Sequence, residues 1–346
     1  MDALTLFRHE RLEDVARRLL QAGGAPEDIA RRVAFSLVDS NLKGVDSHGV
    51  ARLPNYLQQV EDGDIDPAGR PAIVLDRDSS VLVRGNRGFG IHAMEEAAAI
   101  AVDRARKHHV CSVGVIDAGH AGRIGLFAAQ IAREGLFALI FGGGEHERRA
   151  TVVPHGGARP IMRTNPYALA VPGTAPGEPV VIDFATSAVA RGKVAVHAAR
   201  DEPLPEGWVV DAEGRPTTDP HALFNGGMQL PAAGHKGYGM ALVAQLLCFA
   251  MLKSPPRTPS ALNWMIFALD ISVFRDLDAF RSDAAEFLAT VKAVPPAAGH
   301  ERVLVPGEPE RLTEAVRREE GVPLPAKTWQ AIRETAEKWG LEPDSL

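Results

Sequence analysis

The sequence has few of the features that mark secreted, membrane-embedded or nucleic-acid-binding proteins. Only two of its 346 residues are cysteine, Cys111 and Cys248, and both lie in apolar stretches. We interpret them as reduced core residues without a redox role. No stretch approaches the roughly 20 apolar residues of a membrane span. Residues 1–18 are charged and amphipathic and lack the apolar core of a secretory signal, so we expect a cytoplasmic protein.

An excess of positive charge is also missing. The formal net charge is -6 and the pI is about 6.1, and no run of Lys or Arg is long enough to form a nucleic-acid-binding surface. A small-molecule partner is the better expectation. Hydrophobic residues make up 45% of the chain and charged residues 24%, which is ordinary globular composition for roughly two domains.

Hydrophobic periodicity divides the chain into a helical part and an α/β part. Residues 10–42 carry two helical patterns, and a third short helix is predicted over 46–60. From Pro71 onward, short apolar runs alternate with amphipathic stretches, which is typical of a sheet with helices on its faces. We predict strands over 73–75, 81–83, 113–116, 136–141, 168–171, 180–182 and 264–270, and helices over 91–107, 122–134, 186–199 and 236–253.

The domain boundaries follow from this pattern. Residues 1–70 are predicted to form a helical domain, with 308–346, which also look helical, packing back on it. Residues 71–307 are predicted to form the α/β domain that carries cofactor binding and catalysis. Within it, residues 201–234 are rich in Pro, Gly and Asp and indicate a long irregular connection of the kind that is often functional.

A glycine-rich turn imitates a dinucleotide fingerprint. Gly88, Gly90 and Ala93 fit G-x-G-x-x-A after a predicted strand and before a predicted helix. The acidic residue expected after the second strand is met only loosely by Asp117. A plain strand-to-helix turn is therefore the favoured interpretation.

The stretch GVDSHGVARLPNY, residues 44–56, is the most informative. If Asp46 or Ser47 caps a short helix, His48 and Arg52 are four residues apart on one face. A 2-hydroxy acid requires a base near its hydroxyl and a planar cation on its carboxylate, and these two residue types supply both. The alternative is a capped surface helix with an incidental His–Arg pair.

Two further glycine-rich segments carry a histidine. Around His120, three glycines and Arg123 follow a predicted strand, so the backbone can approach a ligand closely. In GHKGYG, residues 234–239, Lys236 stands at a predicted helix N-terminus, where an ammonium and free N–H groups suit a phosphate. The alternative for this second segment is a glycine-rich turn with solvated charges.

Five separated motifs, in this order, resemble the malate/L-lactate (L-sulfolactate) dehydrogenase family over residues 8–335. They are GVDSHGVARLPNY, Thr164-Asn165-Pro166, VIDFATS at 181–187, GHKGYG and Val305-Pro306-Gly307-Glu308. The Gly119-His120 loop, Gly142–Gly144 and the EPLPEGWVVDAEGRPTTDP stretch are closest to its hydroxycarboxylate dehydrogenase branch. The resemblance implies a mixed sheet with flanking helices, a non-Rossmann NAD(P)-binding fold, and a homodimer with its active site between domains.

The resemblance also implies roles for single residues. His48 falls on the acid/base, Ser47 and Arg52 on its active-site neighbours, and Asp183 on the acidic residue of D-x-A-T-S. His120 matches a histidine that serves as proton acceptor in some members, so the choice of base is open. The residues implied to bind NAD or NADP are His120, Thr164, Asn165, Pro166, Asp183, Thr186, Ser187, Lys236, Gly237, Pro306, Gly307 and Glu308.

The predicted function is hydride transfer between NAD(P)H and C2 of a small 2-keto or 2-hydroxy acid, with no metal. Arg163 replaces the family's usual glycine, and segment 143–149 replaces a Ser/Thr/Asn-rich one, so recognition of the cofactor's 2′ position is open. One alternative is a metal-dependent hydrolase using His48, His120 and His235. A non-catalytic nucleotide-binding module is another.

Overall fold

The computed structural model describes residues 4–144, 150–174, 178–198, 200–253 and 262–342. Its centre is a seven-stranded sheet in the order β2-β3-β4-β11-β5-β6-β7. These strands are β2 (Ala72–Arg77), β3 (Ser80–Arg84), β4 (Val110–Ala118), β5 (Leu136–Gly143), β6 (Tyr167–Val171), β7 (Val180–Phe184) and β11 (Leu262–Asp270).

The sheet is mixed, as predicted. β3 and β4 pair in parallel, and every other neighbouring pair in this sheet is antiparallel. The late strand β11 lies between β4 and β5 and pairs with both. Its alternate residues Trp264, Ile266 and Ala268 are buried, which gives the sheet an apolar centre against the helices.

Ten α-helices surround the sheets in the described part of the chain. They are α1 (His9–Ala22), α2 (Glu27–Leu42), α3 (Leu53–Glu61), α4 (Gly90–His108), α5 (Gly125–Arg133), α6 (Arg191–Ala198), α7 (His235–Gln245), α8 (Leu277–Lys292), α9 (Glu308–Glu320) and α10 (Ala326–Lys338). α4 and α5 pack on the large sheet, and α1 and α2 pack on each other. The buried apolar side chains of α1–α3 are continuous with those of the large sheet.

Segments near the two ends of the described residues pair with each other. β1 (Leu4–Phe7) pairs antiparallel with β12 (Val322–Pro325), while α9 contacts α2 and α10 contacts α3. The helical patterns predicted near both ends occur, but each terminal region also contains a strand. β12 interrupts the helix expected over 308–345 because Pro323 and Pro325 cannot continue it.

Other boundaries differ from the predictions. Residues 46–52 form two 3₁₀ turns, Asp46–His48 and Val50–Arg52, instead of the start of a helix over 46–60. Gly49, with an extended backbone, separates the turns. The helix expected over 186–199 begins at Arg191. After α7, the last turns change to a π-helix, Leu246–Met251. The sequence pattern did not predict α8.

The connection over 201–234 is irregular, as expected, apart from short strands. β8 (Val209–Val210), β9 (Pro216–Thr217) and β10 (Met228–Gln229) form a small antiparallel sheet with β8 in the middle. Val209, Val210 and Met228 are buried. The segment is therefore a packed structure and not a solvated linker.

The glycines of the fingerprint-like turn, Gly88 and Gly90, have a packing role. A Cβ on Gly88 would lie 2.3 Å from the carbonyl oxygen of Gly69, and one on Gly90 would lie 2.2 Å from that of Gly119. Protein backbone therefore approaches both glycines so closely that no side chain would fit there. Through this turn, the start of α4 packs against the loop that carries His120.

Both cysteines are free and buried, as predicted. Burial raises the pKa of the Cys111 thiol to about 11 and that of Cys248 to about 12, so neither forms a reactive thiolate readily. None of the described helices combines the length and the apolar character needed to cross a bilayer.

Candidate active site

The loop that carries Ser47, His48 and Arg52 is held from behind by Asn41 of α2. The Asn41 amide donates to Asp46 Oδ1 (2.7 Å), and its Oδ1 accepts the Val50 N–H (2.8 Å). Asn41 is fully buried. A Cβ on Gly49 would lie 2.2 Å from Asn41 Oδ1, so glycine is required there for the loop to close on the amide.

Arg317 of α9 braces the same loop. Its Nη1 and Nη2 donate to the two carboxylate oxygens of Asp46 at 2.7 and 3.1 Å, and Nη1 also donates to the Asn41 carbonyl. A two-point guanidinium–carboxylate contact fixes direction as well as distance. Asp46 therefore anchors the loop; its side chain does not cap a helix, contrary to one of our expectations.

His48 and His120 come together although they are 72 residues apart in sequence. Their rings stack with centroids 5.3 Å apart and an interplanar angle of 27°. Ser47 Oγ lies 3.0 Å from His48 Nδ1. His120 Nδ1 lies 2.8 Å from the Tyr56 hydroxyl and accepts the Gly122 N–H at 3.3 Å. Both histidines are half-buried.

The electrostatics of this pair favour neutral imidazoles. Burial, followed by the charges of Arg52 and Arg123, lowers the pKa of His48 to about 4. Burial also holds the pKa of His120 well below its ordinary value, with Arg52 and His48 acting in the same direction. Burial raises the pKa of the Tyr56 phenol. At neutral pH the three groups carry no charge, and the fixed charge beside them is that of the arginines.

Arg52 is available to an anion. Its Nε donates to the Ser47 carbonyl at 2.8 Å, which turns the guanidinium back over the loop. Within the described residues no carboxylate is ion-paired with it, and the side chain is half-buried. The predicted His–Arg neighbourhood therefore exists, but a backbone turn creates it and not the face of a helix.

Asp183 lies beside Gly125 and Arg123 of the segment that follows His120. It lies on edge strand β7 and is exposed, but its Oδ2 turns inward and accepts the N–H of Gly125 at 2.7 Å. Burial of the carboxyl raises its pKa, whereas the Gly125 N–H and the charge of Arg123 lower it. Asp183 therefore contacts the N-terminus of α5 at Gly125, five residues after His120.

The predicted cofactor residues of three motifs form one cluster. Thr186 Oγ1 donates to the carbonyls of Thr164 (2.9 Å) and Asn165 (3.1 Å), and Ser187 Oγ donates to the Val189 carbonyl. A Cβ on Gly237 would lie 2.9 Å from the Thr186 carbonyl. Gly142 N donates to the Pro166 carbonyl at 3.1 Å. The side chains of Thr186 and Ser187 thus support the backbone of this region.

Lys236 stands at the start of α7 beside this cluster. The ammonium is exposed and makes no hydrogen bond or ion pair with any described residue. At Gly239, one turn further, a Cβ would have no atom within 4 Å. An unpaired ammonium next to open backbone fits a phosphate-bearing ligand. The neighbouring His235 ring packs near His155, 6.1 Å between centroids.

Pro306, Gly307 and Glu308 lie at the start of α9, against β7. A Cβ on Gly307 would lie 3.3 Å from the backbone nitrogen of Val181, two residues before Asp183. Glu308 accepts the Val305 N–H and is paired with Lys292 at 2.8 Å. Its carboxylate is therefore already engaged within the protein.

The sequence departs from the family pattern at Arg163 and over segment 143–149, and the structure describes the first of these fully and the second only in part. Arg163 is half-buried and interacts with other residues, so it is not a free cation in the cleft. Of segment 143–149, residues 145–149 lie outside the described residues.

Comparison with known proteins is consistent with this geometry. The sequence pattern of the family described as malate/L-lactate dehydrogenase matches residues 7–333. The chain belongs to this family. It is therefore a dehydrogenase that uses a nicotinamide cofactor, and the predicted oxidoreductase class is confirmed. The hydrolase alternative is not supported, and the described residues contain no group of three or more potential ligands placed to hold a metal.

Members of the malate/L-lactate dehydrogenase family resemble the chain along its whole length. Hydroxycarboxylate dehydrogenase B of Escherichia coli O157:H7 is 32% identical over 361 residues, covering 100% of this chain and 96% of the relative. Malate/(S)-sulfolactate dehydrogenase of Methanothermus fervidus is 31% identical, covering 94% and 95%. The structure of a putative malate/lactate dehydrogenase from E. coli superposes with a TM-score of 0.92 at 29% identity, covering 99% and 97%.

Three residues of this candidate site received no role from the sequence: Asn41, Tyr56 and Arg123. Tyr56 lies within GVDSHGVARLPNY and Arg123 within the His120 loop, so position in a motif was the available signal for both. Asn41 carried no such signal, since it is one polar residue in an amphipathic helix.

Proposed function

We propose that His48 is the acid/base that exchanges a proton with the C2 oxygen of a 2-keto or 2-hydroxy acid. The stacked His48–His120 pair carries this proposal. In the oxidation direction a neutral His48, with its Nδ1–H donating to Ser47 Oγ, leaves Nε2 free to accept the hydroxyl proton. A pKa of about 4 keeps the imidazole neutral for this step, and keto acid reduction reverses it.

His120 is better suited to donate a hydrogen bond than to act as the base. Its Nδ1 accepts the Gly122 N–H and faces the Tyr56 hydroxyl, so the proton of the neutral ring lies on Nε2. An Nε2–H donor stabilises negative charge that develops on the substrate oxygen. We therefore propose His48 as the base and His120 as the hydrogen-bond donor.

Arg52 is proposed to bind the substrate carboxylate. Its Nη atoms have no acidic partner among the described residues, and the Nε bond to Ser47 fixes the guanidinium beside His48. A planar fork that matches a carboxylate holds C2 in place. Asp183 is proposed to orient the site from β7.

The cofactor, NAD or NADP, is proposed to bind near Lys236 and the Thr164–Pro166 and Thr186–Ser187 segments. When bound, it accepts or supplies the hydride at C2. The unpaired Lys236 and the open backbone at Gly239 fit its phosphates. Pro306, Gly307 and Glu308 are proposed to border it through the start of β7. We propose a non-Rossmann binding mode, supported by the close packing of Gly88 and Gly90 against protein backbone.

The proposed cleft lies between the predicted domains, 1–70 with 308–346 on one side and 71–307 on the other. His48 and Arg52 come from the first, and His120 and Asp183 from the second. We also propose a homodimer in the cytoplasm. Apolar residues are left uncovered on α8 and its approach, where Phe274 is 79% and Phe287 67% exposed, and α8 buries none of its residues in one chain.

A substrate panel tests the function. The purified chain is assayed with NADH and with NADPH against pyruvate-like acids, dicarboxylic and sulfonated keto acids, cyclic imino acids, and keto amides. We expect reduction of free keto acids and little reduction of amides. Cofactor binding without turnover of any acid would contradict the proposal and favour a nucleotide-binding module. Light scattering of the same sample tests the dimer.

A further inference from the structure

Arg123 is a buried cation outside the roles assigned so far. Its Nη2 donates to Asp39 Oδ2 of α2 at 2.6 Å, and the two side chains are only 8% and 12% exposed. Its Nε has no hydrogen-bond partner among the described residues. Burying a guanidinium is costly, and removing Asp39, the one carboxylate ion-paired with it among the described residues, would leave the charge poorly compensated. The burial of the Arg123 guanidinium therefore indicates a role beyond its ion pair with Asp39.

The other end of the guanidinium faces the candidate active site. Arg123 Nη1 and Asp183 Oδ2 lie 2.9 and 2.8 Å from the position that a Cβ of Gly125 would occupy. The absence of a side chain at Gly125 thus lets the cation and the carboxylate approach each other. Arg123 also acts electrostatically on His48, in the direction that disfavours imidazolium.

We propose that Arg123, oriented by Asp39, is a positioning residue that holds a fixed positive charge beside the Asp183 carboxylate, on the loop whose His120 stacks against His48. This inference rests on the proposed function, because it gives a role to a neighbour of the proposed acid/base. Arg123 is not proposed to contact the substrate.

The charged and titratable groups around this unit come from several elements. His120 stacks on His48, and Tyr56 of α3 faces His120. α2 contributes Asp39 and Lys43, the 46–52 loop contributes His48 and Arg52, and β7 contributes Asp183. Glu310 of α9 acts on Asp183 in the direction opposite to Arg123. Because Arg52 also disfavours imidazolium, loss of Arg123 should weaken the effect on His48 without abolishing it.

The direction in which the His48 titration moves distinguishes an electrostatic role of Arg123 from a purely structural one. In Arg123→Met the positive charge is lost, so His48 should titrate at higher pH than in the wild type, by about half a pH unit or more. In Asp39→Asn the cation remains and a negative charge is lost, so His48 should titrate at the same or lower pH. Arg123→Lys keeps the charge and should restore most of the wild-type titration.

The experiment uses the full chain with ¹³C-labelled histidine and follows the His48 resonance with pH by NMR, assigned by comparison with His48→Gln. The pH profile of kcat/KM for hydroxy acid oxidation is measured on the same variants. Its acidic limb should move to higher pH in Arg123→Met and not in Asp39→Asn. Arg70→Met is the control, because it removes an exposed two-point Arg–Asp pair with Asp28 and should leave both measurements unchanged.

Several results would overturn the inference. His48 titrating alike in wild type and Arg123→Met, or moving in the same direction in Arg123→Met and Asp39→Asn, would make Arg123 a structural residue. A raised KM for the free acid without a change in titration would make it a substrate contact. The NMR titration does not depend on turnover, so a wild type inactive on every hydroxy acid would refute the proposed function separately.

Discussion

Asn41→Ala should loosen the loop that carries His48 more than it disturbs the rest of the protein. The substitution deletes the bond to Asp46 and leaves the buried Val50 N–H without its acceptor. A hydrogen bond contributes about 0.5–1.5 kcal/mol, and an unsatisfied buried group costs about 1–3 kcal/mol. We therefore expect a loss of about 2–4 kcal/mol in the free energy of unfolding, since Arg317 still holds Asp46.

Activity should fall along with stability, because a displacement of about 1 Å in a positioned group can cost up to roughly 10²-fold. Urea unfolding measures the first effect, and kcat for a keto acid measures the second, with NADH binding expected to persist. Ser40→Ala is the matched control, since its equally buried hydroxyl donates only to the Ser36 carbonyl. If Asn41→Ala equals Ser40→Ala in urea midpoint and kcat, other contacts hold the loop and the reasoning is wrong.

Exchanging the side chains of Asn41 and Asp46 gives a stricter test of how the loop that carries His48 is held. Asn41→Asp places a carboxylate against Asp46, whose Oδ1 lies 2.7 Å from the amide nitrogen that is replaced, and should be at least as damaging as alanine. Adding Asp46→Asn restores one hydrogen bond with reversed polarity. The double variant should recover part of kcat, and only part, because Arg317 then faces an amide. No recovery at all would argue that this hydrogen bond does not position the loop.

Three shorter predictions concern the binding and titrating groups. Lys236→Ala should raise the Kd for NAD(P)H about tenfold, measured by cofactor fluorescence; an unchanged Kd would make the turn structural. Arg52→Lys should raise KM for free keto acids but not for their amides, and an undiminished preference for the acid would exclude Arg52 as the carboxylate partner. Above pH 6.5, His48 is neutral in the folded and in the unfolded chain. Below pH 6.5, His48 of the unfolded chain is protonated first, so the free energy of unfolding falls as the pH decreases toward 4. His48→Gln should flatten this fall by on the order of 1 kcal/mol; equal pH dependence of the urea midpoint would contradict the lowered pKa.

Local patterns predicted the parts of the molecule whose determinants are local. Apolar alternation located most strands, and the 3.6-residue period located α1, α2 and α4 within a few residues. The chemistry of their side chains identified His48, Arg52 and His120 as candidate site residues. The pairing of late strand β11 between β4 and β5 has no local signature, because the register depends on contacts across more than 100 residues.

The missed helix α8 has a different cause. None of its residues is buried in one chain, so no apolar stripe against its own core was available to predict it. Its N-terminus is clear in the structure, where the Asp276 side chain accepts the N–H groups of Asp278 and Ala279. A helix whose apolar residues face outward is consistent with the proposed dimer, in which the burial pattern would be completed by a second chain.

The residues that support the candidate site were the hardest to predict, because they are polar residues buried in a helix. On α2 the 3.6-residue period selects Ile29, Val33 and Leu37 and treats the intervening polar residues as solvent-facing. The structure buries Asn41 completely, and Asp39 nearly so, against segments that follow them by up to 84 residues. Buried polar groups persist only where partners satisfy them, and here the partners are Asp46, Val50 and Arg123 of the candidate-site loops. Their burial is therefore a consequence of the site, and no periodicity in α2 alone could have revealed it.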